Sequence, residues 1–217
     1  MKLSHVLFRV NDLHKAVAQL IAAGFTVEYG TAPKKAYNAF IWFEEGIFIE
    51  IYKGVELPNS AKLLMKLFGY SAMLQRMEKW RNVQHGWCEW SVETETASLN
   101  YQRSILKQHH IPFLMYKRAK RIDVNGRKLK WSLIFPKDIY FPFIMSAYVP
   151  NPRPHQIIHP NQITKIESIV VGEDQLDQPL LALLAIDRSK VILVKDAVGL
   201  QSVIFKNASL KIEDLLV

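Results

Sequence analysis

The sequence predicts an α+β fold in which a strand–helix–strand–strand–strand (βαβββ) unit occurs twice and is followed by a partial copy. The first observation is the order of patterns from Lys2 to Tyr52: an alternating strand, a helical stripe that ends at Gly24, and three short apolar runs. The second is the return of this order from Gly86 to Tyr148. An internal repeat is stronger evidence for architecture than any single motif within it.

Composition indicates a folded chain. With 217 residues, of which 49% are hydrophobic, it can bury one large core or two small ones. It has no run near the ~18–20 apolar residues of a membrane span, and its first residues lack the apolar core of a signal peptide. We therefore expect a cytoplasmic protein. The single cysteine, Cys88, excludes an internal disulfide and a multi-thiolate zinc site, and its strand context predicts an inert, packed thiol.

In the first unit, alternation places His5 on the same face of the opening strand as Leu3 and Leu7, while the opposite face is apolar. We expect that apolar face to pack on the helix, and the His5 face to line the concave side of the sheet. On the fourth strand Glu50 shares a face with Phe48, where an unpaired carboxylate would be costly. Glu50 is therefore predicted to need a cation, a metal or a hydrogen-bond donor.

The predicted organisation has five parts. The modules span residues 1–55 and 86–150. Between them, residues 56–85 carry two runs at helical spacing, whose Met and aromatic content favours core packing over a cover for a ligand pocket. Residues 151–161 form a linker rich in Pro and His. Residues 162–217 repeat the module with one strand missing, as a partial βαββ unit that is expected to pack on the others or to mediate contact in a homodimer.

A basic segment surrounds the hairpin signal Asn125-Gly126. Its basic residues, all within a short stretch, are Lys117, Arg118, Lys120, Arg121, Arg127, Lys128 and Lys130. Three interpretations stay open: a solvated hairpin face, a rim that attracts an anionic small molecule, and a ribbon that binds nucleic acid. The first is the commonest meaning of such a run, so nucleic acid is not the expected partner.

Three local motifs add to the repeat. They are the Asn38 strand with its Glu45-Gly46 turn and Phe48-Ile-Glu50-Ile51 strand, the Asn125-Gly126 turn followed by Leu129-Lys-Trp131, and the closing Phe141-Pro-Phe-Ile144. Their order and spacing resemble the vicinal oxygen chelate superfamily, which includes glyoxalase I, extradiol dioxygenases and bleomycin-resistance proteins. The resemblance covers residues 2–150 and implies that the two modules pair into one cupped mixed sheet.

The resemblance also implies a place for a metal. In metal-dependent members the ion is held by the first and fourth strands of each module, and His5 and Glu50 match these positions in the first. The second module has Trp87 and Met145 there, and neither binds a hard cation. A Zn, Ni, Mn or Fe site would therefore need a further ligand. The candidates are His85, Glu89, Glu93 and a residue of a partner subunit.

Two interpretations of His5 and Glu50 stay open: a metal site, and a buried pair in which imidazolium and carboxylate satisfy each other. Without a metal, Glu50 is the candidate general base and His5 the group that orients it. A small-molecule pocket needs apolar walls as well as a few polar groups. The candidate substrate-binding residues are Asn38, Phe48, Tyr52, Trp87, Trp90, Trp131 and Phe143.

The function implied by the resemblance is that of a glyoxalase-like protein that receives a small organic molecule in the cup. With a metal as Lewis acid, it would carry out lyase, isomerase or dioxygenase chemistry through an enolate or similar anion. The alternative is a metal-free protein that sequesters its ligand, as bleomycin-resistance proteins do. A third class is nucleic-acid binding through the basic hairpin. The sequence identifies neither the ligand nor the reaction.

Overall fold

The computed structural model describes residues 1–54 and 56–216, and the two predicted modules are present. The first consists of β1 (Lys2–Arg9), α1 (Leu13–Ala22), β2 (Glu28–Tyr29), β3 (Asn38–Ile41) and β4 (Phe48–Tyr52). The insert holds α2 (Asn59–Leu67) and α3 (Ser71–Asn82), and the second module holds β5 (Gly86–Glu93), α4 (Asn100–Gln108), β6 (Phe113–Ile122), β7 (Lys128–Pro136) and β8 (Phe143–Met145). The predicted boundary at residue 55 and the final residue, 217, lie outside the described residues.

The two modules form one eight-stranded sheet in the order β2-β3-β4-β1-β5-β8-β7-β6. Within each module the first strand runs parallel to the last, since β1 pairs with β4 and β5 with β8. The antiparallel pair β1–β5 joins the modules at the centre. Counted from either edge of the sheet, the strands of each module follow in the same order: second, third, fourth, first. The predicted α+β fold with a duplicated, curled mixed sheet is therefore confirmed.

Helix α1 packs on one face of this sheet for reasons visible in its sequence. Asp12 caps its N-terminus by accepting hydrogen bonds from the backbone N–H groups of His14 and Lys15. Its apolar stripe, which includes Leu13 and Leu20, is buried against the Val6 face of β1. That face is the convex side of the sheet, as predicted, so the opposite face of β1 is left for the cup.

The C-terminal part completes the core on the convex side. It contains β9 (Ile166–Glu173), α5 (Gln178–Leu183), β10 (Val191–Val194), β11 (Val198–Phe205) and α6 (Ile212–Leu215). Its three strands form a separate sheet in the order β10-β9-β11. Ile169 and Val203 of this sheet belong to the same buried cluster as Trp90 and Leu106 of the second module. The predicted partial βαββ unit is therefore present and packs against the modules.

Two of the apolar runs form only short strands. After α1 the run contributes only β2, and Phe25, which precedes it, is buried against Phe205. The strand that contains the closing Phe141-Pro-Phe-Ile144 motif is limited to β8. Pro142 lies directly before β8 and has no backbone N–H for a sheet hydrogen bond.

In the described part of the chain, no helix is long and apolar enough to cross a membrane.

Candidate binding site in the cup

Residues of both modules enclose a cavity of about 210 Å³ on the concave face of the sheet. His5, Asn38 and Glu50 come from the first module and form its polar floor. Its walls are largely aromatic and include Tyr37, Tyr52, Trp80, Trp131, Phe143 and Tyr148. The cavity thus combines a few polar groups with apolar walls, which is the usual composition of a small-molecule site.

A β-bulge in β1 directs His5 into the cavity. Leu3 pairs with Val92, but Val6 pairs with Trp90, so Ser4 and His5 together lie opposite one residue of β5. The predicted face of Leu3 is therefore wrong: Leu3 lies in the convex core with Val6, and the bulge separates it from His5. Simple alternation could not show this, because one extra residue moves every preceding side chain of the strand to the other face of the sheet.

His5 is buried, with 3% of its side chain exposed, and its environment favours the neutral imidazole. Its ring stacks on Phe48 with a centroid distance of 4.7 Å, and Nδ1 lies 2.7 Å from Ser91 Oγ and 3.1 Å from Ser4 Oγ. Burial, reinforced by the charge of Arg121, lowers the pKa of His5 to about 3. The imidazolium expected in a His–Glu ion pair is therefore not formed near neutral pH.

Glu50 faces His5 across the floor, with 3.5 Å between Oε2 and Nε2 of the imidazole. Its other oxygen, Oε1, accepts a hydrogen bond of 2.8 Å from Nδ2 of Asn38. Burial raises the pKa of the Glu50 carboxyl, and the Asn38 hydrogen bond and the charge of Arg121 oppose the shift only in part. The predicted meeting of His5 and Glu50 is thus seen, as a desolvated carboxyl beside a neutral ring.

Ser91 supports this arrangement, and its loss gives a direct test. We expect Ser91→Ala to lower the free energy of unfolding by about 1 kcal/mol, because it removes a fully buried hydroxyl from His5 Nδ1 while Ser4 keeps its contact. Urea denaturation followed by circular dichroism measures the change. Ser60→Ala, at an exposed serine of α2, is the control and should be neutral. Equal stabilities of the Ser91 variant and the parent would contradict the assigned hydrogen bond.

Arg121 also lines the cavity, which the sequence did not reveal. Its sequence position is in the basic hairpin, but its guanidinium lies over the Phe40 ring at 4.5 Å from the centroid. A register shift in the β6–β7 pairing between Tyr116 and Ala119 moves Arg121 to the cup side. Of the other hairpin cations, Arg127 pairs with Asp123 at 2.7 Å, and Lys117, Arg118, Lys120, Lys128 and Lys130 are exposed.

The predicted substrate-binding residues separate into three groups. Those that line the cavity are Asn38, Tyr52, Trp131 and Phe143. Phe48 lies behind the stacked ring of His5. Trp87 and Trp90 are on the other side of the sheet, in the convex core, where Trp87 Nε1 donates to Glu213 Oε1 at 2.6 Å. The prediction that these two tryptophans line the cup is therefore wrong.

The strand pairings correct the predicted match between the modules. His5 pairs with Phe48 across β1–β4, and Ser91 pairs with Phe143 across β5–β8, so Ser91 and not Trp87 corresponds to His5. The pairing of Glu93 with Met145 continues this register. Met145 therefore has the position in the second module that Glu50 has in the first, as predicted. A serine hydroxyl and a thioether replace the two hard-cation ligands in the second module.

The donors near His5 and Glu50 fall short of a divalent metal site. Among residues 1–54 and 56–216, no group of three His, Cys, Asp or Glu side chains could hold an ion. The proposed third ligands are engaged elsewhere: Glu89 accepts from Arg76, Lys79 and Trp80, Glu93 accepts from Ser4, and His85 packs edge-on against Phe8. This donor set does not fit the ion that the resemblance implies.

Helix α3 covers one side of the cup. Arg76 is fully buried, and its Nη1 donates to Glu89 Oε2 at 2.6 Å, where Lys79 and Trp80 also donate at 3.0 Å. The core packing predicted for the insert therefore holds for α3. It does not hold for α2, on which Leu67 and other large apolar side chains stay exposed.

A larger cavity of about 820 Å³ lies beside the cup, between the insert and the ends of β1 and β4. Charged residues dominate its lining: Arg9, Lys53, Glu56, Lys62, Glu78 and Arg81. Tyr52 borders both cavities. Although it is larger, this space lacks the aromatic walls and the convergent polar floor of the cup, so the cup is the better candidate for a small organic ligand.

Cys88 takes no part in the site. It is buried, its Sγ lies 3.6 Å from the Leu7 carbonyl oxygen, and burial raises the pKa of its thiol. These features agree with the predicted packed thiol, because the reactive form of cysteine is the thiolate.

A duplicated βαβββ sheet curled around one lined cup is the architecture of the vicinal oxygen chelate class. A profile of the glyoxalase-like domain matches residues 3–185, and the chain belongs to that family. The crystal structure of a hypothetical protein from Staphylococcus aureus superposes with a TM-score of 0.65 at 15% identity, covering 96% of this chain and 92% of that one. This likeness shows the fold alone.

A second solved structure, a hypothetical protein from Bacillus halodurans C-125, aligns with a TM-score of 0.38 at 11% identity over 66% of this chain and 91% of its own. No curated protein matches this chain.

Proposed function

We propose that the cup binds a small organic molecule through its own side chains, without a divalent metal. The observation that carries the proposal is the Glu50 carboxyl, desolvated on the floor of an aromatic cavity whose other donors do not complete a metal site. A buried carboxyl with a raised pKa, in a cleft and beside a specific polar partner, is typical of a functional position.

The walls indicate the kind of ligand. Trp80, Trp131 and Phe143 offer flat apolar surfaces, while the polar atoms are gathered on the floor at one side. The volume, about 210 Å³, is below the ~300–1,000 Å³ usual for drug-sized ligands. We therefore infer a compact molecule with one aromatic or branched apolar part and one polar end that points to Glu50.

Glu50 also gives the cup a route to chemistry. A carboxyl with a raised pKa is a better general base than an ordinary one, and the neutral His5 beside it does not compete as an acid near pH 7. Removal of a proton from the ligand by Glu50 is thus the reaction that this floor supports, with binding alone as the simpler outcome.

Calorimetric titration tests the proposal with a panel of benzyl alcohol, 3-phenyllactate and phenethylamine. We expect at least one probe to bind protein that has been treated with EDTA, and Glu50→Gln to weaken that binding about tenfold or more, since a charge-assisted hydrogen bond contributes about 1.5–3 kcal/mol. Deuterium uptake by the bound probe, followed by NMR and lost in Glu50→Gln, would show proton abstraction.

Glu44→Gln is the control because Glu44 is exposed on the loop between β3 and β4. Its affinities should equal those of the parent. Binding that EDTA abolishes and that added Zn, Ni, Mn or Fe restores would overturn the metal-independent proposal in favour of a metal enzyme.

A further inference from the structure

We propose that the ligand of the cup is an organic anion and that Arg121 is the residue that selects it, by binding its negatively charged group. This inference rests on the proposed function and adds the chemical class of the ligand. It concerns a residue contributed by the second module, on the edge strand β6, to a floor otherwise built by the first.

The first support is the unmatched charge of Arg121. Its guanidinium lines the cavity, yet it makes no ion pair within 4.0 Å with any residue in the described ranges. Its Nε is buried and lacks a hydrogen-bond partner. Arg121 is partly buried, so a guanidinium without a counter-ion carries a cost there, and an anion in the cavity would compensate for it.

The second support is that the guanidinium is held in place. It lies over the Phe40 ring at 4.5 Å, a cation–π contact that orients its plane without using its N–H donors. Those donors therefore stay available for a ligand. A fixed planar fork of this kind suits a carboxylate, which it binds with two parallel hydrogen bonds.

Gly30 makes room for this arrangement. A Cβ at Gly30 would lie 2.9 Å from Arg121 Nη1 and 2.0 Å from Asn38 Oδ1. The lack of a side chain there lets Arg121 lie beside the amide that holds Glu50. Positive and negative groups of the floor are thus adjacent but separate, and a ligand can contact both.

The ligand that satisfies both groups carries a carboxylate with a hydroxyl group on the neighbouring carbon, because a hydroxyl can donate a hydrogen bond to the Glu50 carboxylate. The carboxylate would bind Arg121, the neighbouring group would reach Glu50, and an apolar tail would lie along Trp80 and Phe143. A 2-hydroxy acid with an aromatic or branched tail has this chemistry. The charge of Arg121 also acts on Glu50, Tyr37 and Tyr148, lowering their pKa values against the effect of burial, which agrees with a central position in the cup.

The experiment compares 3-phenyllactate, its methyl ester and phenethylamine by calorimetric titration. We expect the parent protein to bind the acid at least tenfold more tightly than the ester and not to bind the amine. Arg121→Met should remove the preference for the acid and leave the affinity for the ester unchanged. Arg118→Met, at an exposed arginine of the same strand, is the matched control and should keep the preference.

If Arg121→Met does not fold, Arg121→Lys replaces it, with an expected intermediate preference because a lysine keeps the charge and loses the fork.

Equal affinity of the parent for acid and ester, tighter binding of the amine, or an undiminished preference in the Arg121 variant would overturn this inference and leave the proposed function standing. Failure of every probe, whatever its charge, would instead contradict the proposed function itself.

Discussion

Replacing Arg76 by Met is expected to lower the free energy of unfolding by about 3–5 kcal/mol, because it breaks a buried ion pair by removing one partner. Arg76 is fully buried and Glu89 is 1% exposed, with 2.6 Å between Nη1 and Oε2. The Nη2 atom of Arg76 also donates to three backbone carbonyl oxygens, those of Pro136, Asp138 and Phe141. The substitution leaves these acceptors without their donor inside the protein.

Urea denaturation at pH 7 measures this change. Arg81→Met is the control, since Arg81 is an exposed residue of the same helix and should change stability by no more than about 0.5 kcal/mol. The double variant Arg76→Met/Glu89→Leu should recover part of the loss, because it no longer leaves a carboxylate buried with fewer partners. A loss below about 1 kcal/mol in the single variant would mean that Arg76 does not anchor α3.

Acidification is the second large effect: lowering the pH from 6.5 to 5 should cost about 2 kcal/mol of stability through His5 alone. The pKa of His5 is about 3 in the folded protein, against about 6.5 when unfolded. Between these values the unfolded state binds the proton and the folded state does not. Stability from this group is therefore fully present above pH 6.5 and falls by about 1.4 kcal/mol per unit as the pH decreases.

The comparison of the parent with His5→Gln at pH 6.5 and pH 5 isolates this effect, since glutamine does not titrate. Glu50 contributes with the opposite sign: its pKa is raised by folding, so its contribution is present at low pH and is lost as the pH rises. Because Glu50 lies 3.5 Å from His5, the same pair of proteins is also compared in a Glu50→Gln background, where this second titration is absent. An identical pH dependence of the two proteins would show that His5 is not held neutral.

The architecture was predictable from the sequence because it depends on patterns that extend over many residues. The repeat from Lys2 to Tyr148, the Asp12 cap and the Asn125-Gly126 turn all have physical signals in the residues themselves. His5 and Glu50 each stand out as a polar residue in an apolar strand, and the resemblance, in which the first and fourth strands of a module hold the ion, implies that they meet.

The walls of the cup were less predictable because they depend on single-residue shifts of register. One bulge in β1 separates Leu3 from His5, and one shift in β6 carries Arg121 into the cavity. Trp87 and Trp90 looked like wall residues, yet the pairing of β5 with β1 and β8 turns both into the convex core. Periodicity identifies the two faces of a strand. Only the pairing with a neighbouring strand shows where an extra residue shifts the alternation of side chains.

Within the mirrored strand order, the two halves of the chain contribute different groups to the cup. The first half supplies the acidic group and its neighbours, while the second supplies Arg121, half of the aromatic wall and the Ser91 hydroxyl that accompanies His5. The cavity is therefore complete only when both modules are folded and paired, as in an interface to which two different subunits contribute.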